Sequence, residues 1–221
     1  MDYDALIFDN DGVLVTPTDR RLWHRASRLA FQDLGVVDVV DSHLERLDGY
    51  CLSALVRVCE HYGVNSDDFW KRREAYAARA QREHIRTGQK DAYDDIGTLR
   101  GLDPTVGIVS NNQQETIDFV VEHFGLDAVV DTQYGREPSL DGLTRMKPNS
   151  HYLREAIHDL GAVNPLYVGD SGVDMAAAAD LGIDSVFVRR PHRTGYEPNP
   201  EPTYEVDSLA TLRALCTPAV A

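Results

Sequence analysis

From residue 99 onward, short apolar runs alternate with amphipathic stretches of about ten residues, and this alternation restricts the fold more than any other feature of the chain. Residues 106–109 read as a strand. Residues 113–124 read as a helix with Ile117, Val120, Val121 and Phe124 on its apolar side and Gly125 as its stop. A short strand is expected at 128–130, then a loop or flap over 131–146 that holds Gly135, Pro138 and Gly142. Helix, strand, helix and strand follow at 149–160, 166–168, 173–181 and 185–188, with Gly161 and Gly182 as the helix stops. A Pro-rich polar loop at 191–202 precedes a last helix at 206–216. Strands joined by helices of this length pack as a parallel sheet with helices on both faces. The expected class is α/β, with a Rossmann-like three-layer core around a mostly parallel sheet.

The first strand lies far upstream of the others. Residues 4–9 form the apolar run DALIFD, which ends in two carboxylates, Asp9 and Asp11, with Gly12 after them. Desolvating an unpaired carboxylate is costly, so two at the end of a buried strand predict a cation, a proton partner or both. Their one-in-two spacing places both on one face of an ideal strand, and Gly12 lets the chain turn close beside them. Such a pair serves as acid, base, nucleophile or metal site. Residues 16–91 have a different character, with helical periodicity over 21–34, 52–62 and 67–86. The chain is therefore expected to divide into a core of residues 1–15 and 92–221 and a helical insertion of residues 16–91.

Charge and cysteine usage narrow the function. The net charge of −14 disfavours partners with a phosphate backbone or an anionic membrane surface, so neither nucleic acid nor membrane is expected. The acidity, with Lys scarce beside Arg, Asp and Glu, reads as a merely acidic solvated surface or as adaptation to high salt, and the second is favoured. Cys51 and Cys59 would stand about 12 Å apart on a helix, too far for a disulfide. Cys216 leaves an odd count, so free thiols in a reducing compartment are expected. No apolar stretch approaches the roughly 20 residues of a membrane span, and the N-terminus lacks the apolar core of a signal peptide. These features point to a cytoplasmic protein. The eight His include no close pair of metal-ligand spacing, which argues against zinc.

In parallel α/β sheets ligands bind beyond the carboxyl ends of the strands, and the unusual residues of this chain stand there. Asp9 and Asp11 follow the first strand, Ser110 and Asn111 the second, Asp170 and Asp174 the strand ending in Gly169, and Lys147 stands just before Pro148. The order DxDGxL, SN, KP, GDxxxD resembles the haloacid dehalogenase superfamily, in its phosphatase branch of phosphoglycolate phosphatase-like enzymes. The insertion at 16–91 is similar to that family's helical cap in its first position. The resemblance implies Asp9 as nucleophile and Asp11 as general acid and base. It implies Ser110, with backbone donors at Asn111 and Asn112, as phosphate ligands, and Lys147 as the cation that neutralises phosphoryl group and nucleophile. Asp9, the backbone carbonyl of Asp11, Asp170 and Asp174 would form an all-oxygen site for Mg²⁺, with Asp174 either touching the ion or bracing those that do.

Two departures from the family pattern stand out, Asn10 where an apolar residue is usual and Val13 where Thr is common. Arg189 and Arg190 read as an exposed pair. Trp23, His24 and Arg25, and Gly49 with Tyr50, are candidates to face the site from the cap. The expected activity is Mg²⁺-dependent hydrolysis of a small phosphorylated metabolite through an aspartyl-phosphate. Alternatives are a phosphomutase of the β-phosphoglucomutase type, against which Asp174 speaks, and a phosphate-binding regulator without turnover. Asp11 and Asp170 together speak against a dehalogenase. The expected partner is the small phosphorylated substrate, and the oligomeric state is left open.

Overall fold

A computed structural model describes residues 3–216. Its six strands are β1 (Ala5–Phe8), β2 (Thr105–Gln113), β3 (Thr132–Arg136), β4 (Pro165–Gly169), β5 (Asp184–Val188) and β6 (Tyr204–Val206). They form one sheet in the order β3-β2-β1-β4-β5-β6, with every pairing parallel. The expected α/β class is the observed one. β1 lies at the centre, and all four of its residues are buried, as a parallel strand covered on both faces requires. Leu6 and Phe8 join one apolar cluster with Ile117 and Val121, while Ile7 joins another with Leu153 and Ala178. Successive side chains of β1 thus feed opposite faces of the sheet. The strand order reverses beside β1, where the chain leaves toward β2 and β3 and later returns to build β4, β5 and β6. Its carboxyl end is therefore the switch point at which such sheets bind ligands.

Between β1 and β2 run α1 (Arg20–Asp33), α2 (Asp41–Leu47), α3 (Leu52–His61) and α4 (Ser66–Arg86). The side chain of Asp19 caps α1 by accepting from Arg21 N at 2.9 Å, and Asn65 caps α4 by accepting from Asp68 N at 3.0 Å. The first turn of α4 carries Asp67 and Asp68 and its last turn His84 and Arg86, each sign at the favourable end of the helix dipole. Phe31, Leu44, Leu55, Val58, Phe69 and Trp70 pack together as the core of this stretch, joined by Leu143 and Met146 from the segment after β3. The helices that follow β2 are α5 (Gln114–His123), α6 (Leu140–Thr144), α7 (His151–Leu160), α8 (Gly172–Leu181) and α9 (Leu212–Cys216).

The structure corrects four of the expectations. The strand expected at 128–130 is instead β3, four residues later. Val129 N and Val130 N both donate to Leu126 O, so these valines form a turn, packed against the core as partly buried residues. β3 is an edge strand in which Thr132, Gln133 and Tyr134 are half-buried and Gly135 and Arg136 buried, and it carries no apolar run to announce it. Part of the expected flap, residues 140–144, is the short helix α6. The last helix is shorter than expected, because Tyr204–Val206 pairs with β5 as a three-residue edge strand. α2 was not anticipated, since it turns only Leu44 and Leu47 inward and is too short for periodicity to show. Cys51 and Cys59 are free thiols, and the side chain of Cys216 lies outside the described residues. Among the described residues no helix is long and apolar enough to cross a membrane.

Candidate active site

The carboxyl ends of β1, β2 and β4 bring the expected residues to one place. Asp9, directly after β1, is held by Asn10 N, which donates to its Oδ1 at 2.7 Å. Lys147 Nζ stands 2.9 Å from that oxygen and 2.7 Å from Asp174 Oδ1, and it also donates to Val109 O at 3.0 Å and Tyr167 Oη at 2.7 Å. Lys147 comes from a loop, and Asn111 fixes it there. The Asn111 Oδ1 accepts from Lys147 N at 2.7 Å, and its Nδ2 donates to Lys147 O at 2.9 Å. Burial pushes the Asp9 carboxyl up to about 7; Lys147 opposes that shift and the charges of Asp174 and Asp170 add to it. Burial disfavours the charge of Lys147, but Asp174 and Asp9 outweigh it and raise its pKa. The ammonium is therefore kept charged by the carboxylates it bridges.

Asp11 has different surroundings. Its Oδ1 accepts from Thr18 Oγ1 at 2.8 Å and from Lys90 Nζ, and its Oδ2 from Asn112 Nδ2 at 2.6 Å and Asn10 Nδ2 at 3.1 Å. Gln81 on α4 ties this group together, its Oε1 accepting from Lys90 Nζ and Asn112 Nδ2, each at 2.8 Å. Burial alone would raise the Asp11 pKa, but Lys90, Asn112 and Thr18 bring it below the usual aspartate value. The two carboxyls, separated only by Asn10, are thus shifted in opposite directions, and a cation among the oxygens of Asp9, Asp170 and Asp174 would draw the Asp9 carboxyl back down toward its ionised form. Thr18 supplies the hydroxyl that Val13 lacks. Asn10 closes the turn, its carbonyl accepting from Leu14 N at 2.9 Å and Val15 N at 3.0 Å, and leaves its buried Oδ1 without a partner.

Asp9, Asp170 and Asp174 each offer an oxygen, all within 4.8 Å of one another, and all three are buried. The donor set is all oxygen, as Mg²⁺ prefers. Gly12, at φ +85°, makes room for it, since a Cβ there would lie 2.2 Å from Asp170 Oδ2. The Asp11 side chain does not belong to this cluster. Both Asp174 oxygens already accept protein hydrogen bonds, from Lys147 and Tyr167 on Oδ1 and from Ser171 and Asp170 N on Oδ2. Asp170 Oδ2 in turn accepts from His192 Nε2 at 2.6 Å and Arg193 Nε at 2.9 Å.

The cleft over these groups encloses about 210 Å³. Asp9, Asp11, Ser110, Asn111 and Lys147 line it at the strand ends, and Trp23 on α1 and Tyr50 in the turn between α2 and α3 line it from the other side. Tyr50, at φ 49°, is the one non-glycine among the described residues with a left-handed backbone. Ser110 is buried, its Oγ accepting from Asn112 N at 3.2 Å. His24 turns aside to Asp48, 2.9 Å away, and Arg25 and Gly49 do not line the cleft. A larger hollow of about 640 Å³ on α1 and α4 shares no residue with the cleft, so size does not locate the chemistry.

The expected exposed pair Arg189 and Arg190 is corrected. Arg190 is buried, lies 3.9 Å over the Tyr93 ring, pairs with Asp95 at 2.8 Å and donates to Val13 O at 2.7 Å, bracing the turn after β1. Sequence reasoning passed over Thr18, Gln81 and Lys90, which belong to no recognisable pattern. The only trace was that Thr18 and Lys90 stand near the two ends of the helical insertion.

This combination of a parallel sheet, an inserted helical stretch and carboxylates at the strand ends is that of a hydrolase family whose model, haloacid dehalogenase-like hydrolase, matches residues 6–188. The chain belongs to that family. It is 41% identical over 86 residues to a plasmid-borne phosphoglycolate phosphatase of Cupriavidus necator, a stretch that spans 36% of each protein. Its fold is similar to that of CbbY from Rhodobacter sphaeroides, solved with phosphate, at a TM-score of 0.71 and 18% identity over 95% of this chain and 96% of that one. A subfamily IA hydrolase from Geobacter sulfurreducens has a TM-score of 0.59 at 18% identity, with 97% of each chain covered.

Proposed function

We propose that the protein is a Mg²⁺-dependent phosphatase acting on a small phosphorylated metabolite, of the phosphoglycolate phosphatase type. The observation that carries this reading is the contrast between Asp9 and Asp11. Asp9 sits against Lys147 and two further carboxylates, whereas Asp11 is held apart by neutral and cationic donors. Asp9 attacks phosphorus in line, forming an O–P bond as the bond to the leaving oxygen breaks. Asp11 gives that oxygen a proton and then takes one from the water that cleaves the aspartyl-phosphate. Lys147 keeps two anions from repelling as they meet, and the Ser110 hydroxyl with the Asn111 backbone donates to phosphoryl oxygens, Asn112 N holding the Ser110 Oγ in place. Asp9, Asp170 and the Asp11 carbonyl would hold Mg²⁺, which would supply positive charge at the phosphoryl group, while Asp174 braces Lys147 and the turn around Asp170.

Residues 16–91 act as a cap over the core of residues 1–15 and 92–221. Trp23 and Tyr50 roof the cleft and exclude water during the first step. A cleft of about 210 Å³ suits a substrate smaller than a nucleotide. The name of the Cupriavidus relative supports phosphoglycolate as the first substrate to try. The purified protein is expected to hydrolyse p-nitrophenyl phosphate with Mg²⁺ and to lose that activity with EDTA or as Asp9→Asn. Turnover that survives Asp9→Asn would exclude the covalent route. Phosphate binding without turnover of any ester in a panel of phosphoglycolate, sugar phosphates and nucleotides would make the protein a binder.

A further inference from the structure

A line of buried polar groups runs from α4 to the phosphate end of the cleft. Glu74 on α4 and Arg136 at the end of β3 are both buried, and they meet across the boundary between the helical stretch and the sheet. Arg136 Nε lies 3.0 Å from Glu74 Oε2, and Nη2 bonds the same oxygen. The remaining nitrogen, Nη1, donates to the backbone carbonyl of Asn111 at 2.8 Å. Asn111 clasps the Lys147 backbone in both directions, and Lys147 Nζ reaches Asp9. On the other side, Glu74 Oε1 accepts from Arg73 Nη1 at 2.6 Å, and Arg73 lies 5.0 Å from the Trp23 ring and 5.1 Å from that of Tyr50. The roof of the cleft and its phosphate end are thus joined through one carboxylate.

Stability does not account for this arrangement. Two charges taken out of water lose hydration that their attraction seldom more than restores, so a well-packed apolar pair would hold as well. The guanidinium offers a planar fork, which spans two acceptors at fixed angles where a lysine ammonium serves as a point charge. Here one edge of the fork holds Glu74 and the other holds the chain at Asn111.

We propose that Arg136 is a positioning residue for the phosphate site, and that Glu74 makes its orientation depend on how residues 16–91 sit on the core. The inference rests on Asn111 and Lys147 being phosphate ligands. Arg136 does not line the cleft; it sets where the Asn111 backbone and the Lys147 loop stand.

The test is calorimetric titration of the full chain with inorganic phosphate in the presence of Mg²⁺. Arg136→Met leaves Glu74 paired with Arg73, and Arg136→Lys keeps the charge, so both variants are expected to fold. Arg136→Lys cannot hold Glu74 and the Asn111 carbonyl together. It is expected to melt near the wild-type temperature yet bind phosphate about fivefold more weakly, and Arg136→Met about tenfold more weakly, in line with one lost charge-assisted hydrogen bond. KM for p-nitrophenyl phosphate should rise in the same ratio, with kcat changed less. Wild-type phosphate affinity in both variants, including the case where only the melting temperature falls, would overturn the inference. Failure of the wild-type protein to bind phosphate would instead overturn the reading of Asn111 and Lys147.

Discussion

At the scale of single residues, the site depends on what cannot be substituted. Gly12 has both a left-handed φ and no space for a side chain, because Asp170 Oδ2 lies 2.2 Å from where a Cβ would stand. Gly12→Ala is therefore expected to displace Asp170 and to raise the Mg²⁺ concentration for half-maximal binding about tenfold or more, read by titrating Mg²⁺ against intrinsic fluorescence. Unchanged Mg²⁺ affinity would remove Asp170 from the metal site. Asp9, Asp11, Asp170 and Asp174 drew notice as carboxylates at the ends of apolar runs, whereas Ser110 and Lys147 were picked out by the order of motifs that the family resemblance supplied. Lys90 was not, since a lysine in a linker looks solvated until the fold buries it against Asp11. Arg190 misled for the same reason. Its neighbour Arg189 is half-buried on Glu205, while Arg190 turns inward to Asp95, and adjacent identical residues carry no sign of that difference.

At the scale of elements, β1, β2, β4, β5, α1, α3, α4, α5, α7 and α8 lie within a few residues of where periodicity and glycine stops place them. The misses share a cause. β3 and β6 are edge strands with little apolar content, and α2 is two turns long, so each is fixed by what it packs against. The contact between α4 and β3 was equally hidden, because Glu74 and Arg136 are 62 residues apart. That contact has a pH signature. Burial would raise the Glu74 pKa, but Arg136 and Arg73 bring it below the ordinary glutamate value. A carboxyl depressed on folding stabilises the native state above its unfolded pKa and ceases to as pH falls through the folded one. Wild-type stability in urea is expected to decline as pH drops below about 4.5, the usual glutamate value. Glu74→Gln, which leaves two buried guanidiniums without their anion, should cost about 3–5 kcal/mol at neutral pH and show a shallower acid decline. An equal acid slope in both proteins would mean that Glu74 titrates alike folded and unfolded.

At the scale of the whole molecule, the charge is divided unevenly. Residues 16–91 carry 13 Lys and Arg against 12 Asp and Glu, whereas the rest of the chain carries 9 against 24. Residues 16–91 are therefore close to neutral, and the acidic excess is carried by the rest of the chain. An anionic substrate approaching from the helical side meets less repulsion than one approaching the sheet. Self-repulsion within the acidic part is screened by salt, so a protein adapted to high salt is expected to lose helical circular dichroism when dialysed to low ionic strength. A full helical signal without added salt would mean that the acidic surface is merely solvated.

In the proposed reaction Asp9 takes the phosphoryl group and Asp11 moves the protons. Asp11→Asn keeps the nucleophile while removing the base that activates water, so an intermediate should accumulate. The direct measurement is acid quenching of Asp11→Asn after mixing with p-nitrophenyl phosphate and Mg²⁺, followed by peptide mass spectrometry. The prediction is a phosphoryl adduct on the peptide that contains Asp9, absent from Asp9→Asn; an adduct elsewhere, or none while p-nitrophenol is released, would contradict it.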